Sequence, residues 1–99
     1  MSVRLVITMN AQPGKGADLL AEMENRCVEV RKEPGCEQFE VFQSGNNPDK
    51  VCLLELWADQ AALDVHAQKN AAAPPNPRMA ELRLDGPVPR EDYTYNRTR

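Results

Sequence analysis

The chain begins with two segments of different hydrophobic periodicity. Over residues 3–11 every second residue is apolar, which predicts a β-strand with one buried face. Over residues 16–33 apolar residues recur at helical spacing, namely at Leu19, Leu20, Met23, Cys27 and Val30. This second pattern predicts an amphipathic helix with one buried side. Pro13–Gly14 separates the two segments, and Pro34–Gly35 ends the helix.

Two further strands are predicted after the helix. Residues 36–43 alternate between two faces, and Phe39 falls on one of them. Cys36 and Phe42 fall on the other face. A polar turn then leads into residues 51–57, which are apolar on both faces. This third strand is therefore predicted to be central and covered on both sides.

The C-terminal third combines a second helix, a short helix and a last strand. Asp59 is suited to cap a helix over residues 60–70, because its carboxylate can accept a backbone N–H bond. Residues 71–77 contain three prolines and are predicted to form a loop, either a lid over a pocket or a rigid spacer. A short helix over residues 78–84 and a strand over residues 88–95 complete the pattern.

The predicted order is strand, helix, strand, strand, helix, strand, with the short helix inserted before the last strand. This is the βαββαβ order of a ferredoxin-like α+β domain with a four-stranded antiparallel sheet. In that fold the first and third strands are central, and here those two strands are the most apolar. We expect residues 1–99 to form a single domain of this kind.

Two helices can cover only one face of such a sheet. The opposite face is predicted to present an apolar patch formed by Val6, Cys52, Leu54 and Leu56. Exposing this patch to water is unfavourable by about 25 cal/mol per Å² of apolar surface. A second copy of the chain that covers the same patch is the simplest solution, so a homodimer is predicted.

The charge, the lengths of the apolar runs and the cysteine spacing indicate which partners and which compartment to expect. The formal net charge is −3 and the basic residues form no stripe, which argues against nucleic acid as a partner. No apolar run approaches the roughly 20 residues of a membrane span, and the N-terminus lacks the pattern of a signal peptide. We therefore expect a cytoplasmic protein with no membrane partner. The three cysteines are widely spaced, so neither a disulfide nor a metal site is expected.

Several short motifs link this sequence to a known family. Pro13–Gly14 precedes the long helix, and Glu33–Pro34–Gly35–Cys36 follows it. Phe39–Glu40–Val41–Phe42 comes next, and residues 55–66 contain the string E-x-W-x-D-x-x-A-L-x-x-H. With these motifs, residues 3–70 resemble the antibiotic biosynthesis monooxygenase (ABM) superfamily of dimeric α+β barrels.

This resemblance implies a homodimer with a pocket between the sheet and the helices. The family includes cofactor-independent monooxygenases that oxidise anthrones or reduced quinones, haem-degrading enzymes and an isomerase. We therefore expect a cofactor-independent monooxygenase that acts on a small aromatic or quinol-like substrate with dioxygen, without metal or flavin. Two alternatives are an isomerase that acts through an enediol and a non-catalytic dimer that binds small molecules.

His66, the only histidine, is the candidate catalytic residue. It lies on the predicted inner side of the second helix. An imidazole titrates near neutrality, which suits it to remove a phenolic or enolic proton. Trp57, Glu55 and Phe39 are the candidates for substrate binding, because they combine aromatic surface, an indole N–H donor and a carboxylate acceptor.

Each candidate also has a purely structural interpretation. His66 could be hydrogen-bonded within the core, with Glu55 as its partner, and the pair would then lock the second helix to the sheet. Trp57 and Phe39 could be packing residues of the core. A buried carboxylate at Glu55 needs a partner in either case, because burying it alone is costly. His66 or an arginine could supply that partner.

Overall fold

A computed structural model of the chain describes residues 1–98 and contains one four-stranded sheet and three helices within them. In chain order the elements are β1 (Val3–Asn10), α1 (Gly16–Val30), β2 (Cys36–Gln43), β3 (Lys50–Trp57), α2 (Gln60–Ala72), α3 (Pro77–Leu82) and β4 (Arg90–Thr94). The strands lie in the order β2-β3-β1-β4, and all neighbours are antiparallel. The predicted α+β fold is therefore confirmed, including the central positions of β1 and β3.

The core lies between the helices and one face of the sheet. Alternate residues of the strands meet the apolar stripe of α1, as the two periodicities predict. The buried side chains of this core are Leu5, Met9, Ala11, Leu19, Met23, Cys27, Val30, Phe39, Val51, Leu53, Trp57, Leu63 and Leu82. Burial of apolar surface at about 25 cal/mol per Å² is the main force that holds the two layers together.

The outer face of the sheet carries the predicted apolar patch. Its four members are half-buried in the single chain, namely Val6, Cys52, Leu54 and Leu56. Two larger apolar side chains stand at its margins, where Phe42 is 43% exposed and Tyr93 is 53% exposed. Leu54 lies opposite Val6 on β1 and opposite Glu40 on β2, so a charged residue borders the patch on the β2 side.

The first helix is shorter than its hydrophobic pattern predicts. It ends at Val30 rather than at residue 33, and a turn connects it to β2. Glu33 precedes Pro34, and the residue before a proline disfavours helical backbone angles. Glu33 therefore lies in the turn, where its backbone N–H still donates to the carbonyl of Val30 at 2.9 Å.

The boundaries after β3 also differ from the prediction. Asp59 caps α2 as predicted, since its carboxylate accepts a hydrogen bond from the backbone N–H of Ala62 at 2.8 Å. The helix continues to Ala72, which shortens the predicted loop to residues 73–76. The last helix and the last strand are both shorter than predicted. Asn76 has an extended backbone conformation, and its side-chain oxygen caps α3 by accepting hydrogen bonds from the backbone N–H groups of Arg78 and Met79.

A β-bulge at the start of β2 changes the face on which Cys36 lies. The register shifts immediately after Cys36, so that this residue lies opposite Trp57. Phe39 lies opposite Glu55 on the same face, towards the helices. The prediction that Cys36 shares a face with Phe42 is therefore wrong. One extra residue in a strand exchanges the faces on which the residues before it and after it lie. The alternating sequence pattern does not show where such a residue is inserted.

Candidate active site

A cavity of about 270 Å³ lies between the inner face of the sheet and α2. All four strands, α1 and α2 contribute to its walls. Three of the four predicted site residues line it, namely His66, Glu55 and Phe39. The fourth, Trp57, is fully buried against His66 and is not part of the cavity wall.

The imidazole of His66 is held on three sides. Its Nδ1 atom lies 3.1 Å from Oε1 and 3.3 Å from Oε2 of Glu33. The ring stacks on the indole of Trp57, with centroids 4.7 Å apart and 30° between the ring planes. The ring of Phe39 meets it edge-on at 5.5 Å. These contacts fix the orientation of a residue that is only 6% exposed.

The other ring nitrogen of His66, Nε2, has no hydrogen-bonding partner among residues 1–98. Every buried side-chain nitrogen or oxygen in those residues does have a partner, so Nε2 is not sealed within the core. A carboxylate at Nδ1 favours the tautomer with the proton on that atom and leaves Nε2 as an acceptor. This nitrogen can therefore take a proton from a ligand in the cavity.

Glu55 pairs with Trp57 rather than with His66. The indole N–H of Trp57 donates a hydrogen bond to Oε1 of Glu55 at 2.8 Å. The expectation that His66 or an arginine would be the partner is therefore wrong. Because Glu55 is only 3% exposed, this bond offsets part of the cost of burying its carboxylate. It also fixes the indole against which His66 stacks.

Glu33 is a residue of this site that periodicity does not reveal. Gly35, in the same turn, has a φ of +81°, and an added Cβ there would lie 2.5 Å from the Cβ of Ala62. Its carbonyl accepts a hydrogen bond from the backbone N–H of Ala58 at 2.8 Å. These contacts hold the turn against the start of α2, which brings Glu33 within reach of His66. The Glu-Pro-Gly motif after the helix is the available sequence signal.

A second cavity of about 380 Å³ adjoins the first. The two share four lining residues, namely Ile7, Arg26, Leu53 and Asn70. Residues 73–76 form part of the wall of the second cavity, so the proline-containing loop borders the site. Because of the shared wall, we treat the two cavities as one feature and refer to it as the cleft.

Residues 1–98 were compared with the requirements of a membrane span, a metal site and a disulfide. None of the helices in this part of the chain is long and apolar enough to cross a membrane. The same residues contain no group of three or more His, Cys, Asp or Glu side chains arranged to hold a metal ion. All three cysteines have free thiols, and burial raises the pKa of each of them.

The family model for antibiotic biosynthesis monooxygenases matches residues 2–73, which is most of the chain. The chain belongs to this family. The resemblance carried by the string from Glu55 to His66 is therefore confirmed. The ABM match ends at the start of the proline-containing loop, so the second cavity is bordered by residues beyond the matched segment.

Two relatives share shorter segments with this ABM protein. The uncharacterized protein sll1783 of Synechocystis is 27% identical over 60 residues, which are 61% of this chain and 41% of the relative. The candidate monooxygenase YcnE of Bacillus subtilis is 28% identical over 58 residues, which are 59% of this chain and 61% of the relative. The chain thus spans about half the length of these relatives.

Solved structures share the fold over nearly the whole chain. A conserved protein from Methanosarcina mazei Go1 has a TM-score of 0.77 and 26% identity, with 97% of this chain and 94% of that chain covered. A variant of SnoaB, a cofactor-independent oxygenase from Streptomyces nogalater, has a TM-score of 0.77 and 13% identity, with coverage of 98% and 95%. At 13% identity the likeness to SnoaB establishes the fold alone.

Proposed function

We propose that this ABM protein is a monooxygenase that oxidises a small aromatic or quinol-like substrate in the cleft, with dioxygen and without a bound cofactor. The observation that supports this most directly is the placement of His66. Glu33 holds its Nδ1 atom, and Nε2 is left for a ligand in the cavity. Family membership suggests the reaction class, and SnoaB offers a precedent for cofactor-independent oxygenation on the same fold.

In the proposed reaction Nε2 of His66 takes a proton from a phenolic or enolic hydroxyl of the substrate. The substrate anion transfers one electron to dioxygen, and the resulting radical and superoxide combine to form a carbon–oxygen bond. The peroxide then loses water and leaves a carbonyl. The CH₂ group of an anthrone, or a ring CH of a hydroquinone, thus becomes C=O, with one atom of dioxygen in the product and the other in water. The substrate supplies all four electrons, so no other reductant is needed.

The remaining residues of the site have supporting roles in this proposal. Glu33 accepts a hydrogen bond from the Nδ1–H of His66, which fixes the orientation of the ring and leaves Nε2 as the acceptor. Phe39 offers an aromatic edge to the substrate. Glu55 uses Oε1 to hold Trp57, and its Oε2 can accept a hydrogen bond from a substrate hydroxyl.

Oxygen uptake with a panel of hydroquinones and anthrones tests the proposal. We expect the wild-type protein to consume oxygen and to place one labelled atom from ¹⁸O₂ in the product. His66→Ala should lose most of the uptake above buffer and retain a small measurable rate, whereas Asp64→Ala, on the exposed side of the same helix, should remain active. Uptake by the wild type that does not exceed buffer, or full activity of His66→Ala, would contradict the proposal.

An isomerase that acts through an enediol is the second candidate. It is favoured by the presence of two proton-exchanging groups, His66 and Glu55, on the wall of one cavity. This reaction would consume no oxygen and would leave the substrate mass unchanged. In D₂O the product would acquire deuterium at carbon. Saturable binding with neither reaction would instead support a non-catalytic small-molecule-binding dimer.

We propose further that the protein acts as a homodimer through the outer face of the sheet. The half-buried patch around Leu54 and the two exposed aromatic side chains beside it support this arrangement. The helices cover only the other face, so a second copy would remove this apolar surface from water. Light scattering of Leu54→Glu, compared with Val28→Glu at an exposed position on α1, tests this arrangement.

We also propose a cytoplasmic location. The free thiols of all three cysteines suit a compartment that keeps thiols reduced. Fractionation of cells that produce the tagged chain measures this directly. Recovery mainly in a membrane or secreted fraction would contradict it.

A further inference from the structure

The cleft is positively charged although the chain as a whole is acidic. Arg26 from α1, Arg83 after α3 and Arg90 from β4 line its two cavities. Glu55 is the only carboxylate in the same walls. The formal net charge of the chain is −3, so this local balance is opposite to that of the whole chain. A concave site with this charge raises the local concentration of anions.

None of these three arginines forms an ion pair within residues 1–98. Two arginines outside the cleft do form ion pairs. Arg31 pairs with Glu24 at 3.1 Å, and Arg78 pairs with Glu81 at 3.4 Å. The guanidinium groups of the cleft therefore remain available for a charged ligand.

Arg26 is the best-positioned of the three. Its guanidinium donates a hydrogen bond to the side-chain oxygen of Asn70, which links α1 to α2 at the boundary of the two cavities. Asn70 follows His66 by four residues on α2, a rise of about 6 Å along the helix. Glu22, one turn before Arg26, does not pair with the guanidinium. Its Oε1 atom accepts a hydrogen bond from the side-chain amide of Asn76 at 3.1 Å.

We propose that the cleft selects an anionic substrate, namely an aromatic acid whose carboxylate is held by Arg26 and Asn70. The hydroxyl that loses its proton would lie at His66. One helical turn separates these two positions, a spacing comparable with that between groups at opposite ends of an aromatic ring. The planar guanidinium can hold a carboxylate through two parallel hydrogen bonds. The role of His66 rests on the proposed function, but the charge selectivity of the cleft does not.

Binding without oxygen tests the inference independently of turnover. Trp57 is the only tryptophan and stacks on His66, so its fluorescence reports ligands that enter the cavity. The matched probes are para-hydroxybenzoate and its neutral amide, para-hydroxybenzamide. We expect the acid to bind about tenfold more tightly than the amide, because a charge-assisted bond is stronger than a neutral one. Added salt should reduce this preference.

Titration calorimetry of variants shows which residue causes the preference for the acid over the amide. Arg26→Gln should bind the acid about tenfold more weakly and the amide unchanged. Arg78→Gln, which lies outside the cleft, should retain the wild-type preference. His66→Ala should lose most of its oxygenation and still prefer the acid, so failure of the reaction and failure of the selectivity are distinguishable. Equal affinity for acid and amide, no binding of either, or an undiminished preference in Arg26→Gln would overturn the inference.

Discussion

The imidazole of His66 stacks on the indole of Trp57, with ring centroids 4.7 Å apart. Each ring is held by a different carboxylate, since Glu33 contacts the imidazole and Glu55 accepts a bond from the indole. The two carboxylates come from separate parts of the chain, the turn after α1 and strand β3. The orientation of the candidate base therefore depends on both pairs.

The pair of Glu33 and His66 predicts how Glu33→Gln alters turnover. The NH₂ group of a glutamine can donate to Nδ1, which places the ring proton on Nε2 and removes the acceptor, so we expect kcat to fall by about tenfold or more. KM should change little, because Glu33 does not line the cavity. Steady-state oxygen uptake measures both parameters.

A double variant shows whether Glu33 acts through His66. His66→Ala combined with Glu33→Gln should be no less active than His66→Ala alone, because the carboxylate has no effect once the ring is gone. Glu29→Gln is the control, since Glu29 is an exposed partner of Lys32 near the same helix end. Losses that multiply in the double variant would show that Glu33 acts by another route.

The bond between Trp57 and Glu55 predicts a specific stability effect. Trp57→Phe removes the indole N–H and leaves a buried carboxylate without this donor. We expect a loss of about 2–3 kcal/mol in the free energy of unfolding, measured with urea. Glu55→Gln should lose less than about 1 kcal/mol, because its side-chain oxygen can still accept the bond. Equal losses in the two variants would argue against this account.

The sheet and the long helix were predictable because their signals are local. Alternation placed Leu5 and Phe39 on the inner face, and Asp59 identified the start of α2. The contact between Glu33 and His66 spans 33 residues and has no local signal. It depends on a turn conformation and on the close approach of Gly35 to α2. The bulge after Cys36 likewise has no signal in the alternation of apolar and polar residues.

Alanine substitutions at Gly14 and Gly35 distinguish the cost of backbone strain from the cost of a steric clash. Gly14 and Gly35 have similar positive φ values, +78° and +81°. An added Cβ at Gly14 meets nothing within 4 Å, whereas at Gly35 it would lie 2.5 Å from Ala62. Gly14→Ala should therefore cost about 1–2 kcal/mol of stability from backbone strain alone.

Gly35→Ala should cost about 1–3 kcal/mol more than Gly14→Ala, because the turn must move away from α2. That movement would also separate Glu33 from His66, so kcat should fall in Gly35→Ala and remain normal in Gly14→Ala. Urea denaturation and oxygen uptake measure the two effects. Equal stability and activity in the two variants would show that the turn does not position Glu33.

The apolar patch predicts the response of the assembly to Leu54→Glu. We expect the wild-type protein to have twice the monomer mass by light scattering, and Leu54→Glu to be a folded monomer. The added carboxylate would lie beside Glu40 in the centre of the proposed interface and would be buried without a partner. Val28→Glu, at an exposed position on α1, should remain a dimer. A monomeric wild type at high concentration would contradict the homodimer.

The thiol of Cys27 predicts how stability changes at alkaline pH. Burial raises its pKa to about 11 from an ordinary value of 9.0, and the negative charge of Glu24 adds to the shift. The folded state therefore holds this proton more tightly than the unfolded state does. The resulting stabilisation is fully present below about pH 9 and is lost as pH rises through about 11, by up to roughly 2–3 kcal/mol.

Cys27→Ala isolates this contribution from the titration of other groups. The variant lacks the thiol, so its unfolding free energy should decrease less between pH 9 and pH 11 than that of the wild type. The small cavity left by the sulfur lowers stability at every pH and does not affect this difference. Urea denaturation at several pH values measures both slopes. Parallel slopes in the two proteins would mean that the Cys27 thiol ionises no less readily in the fold than in the unfolded chain.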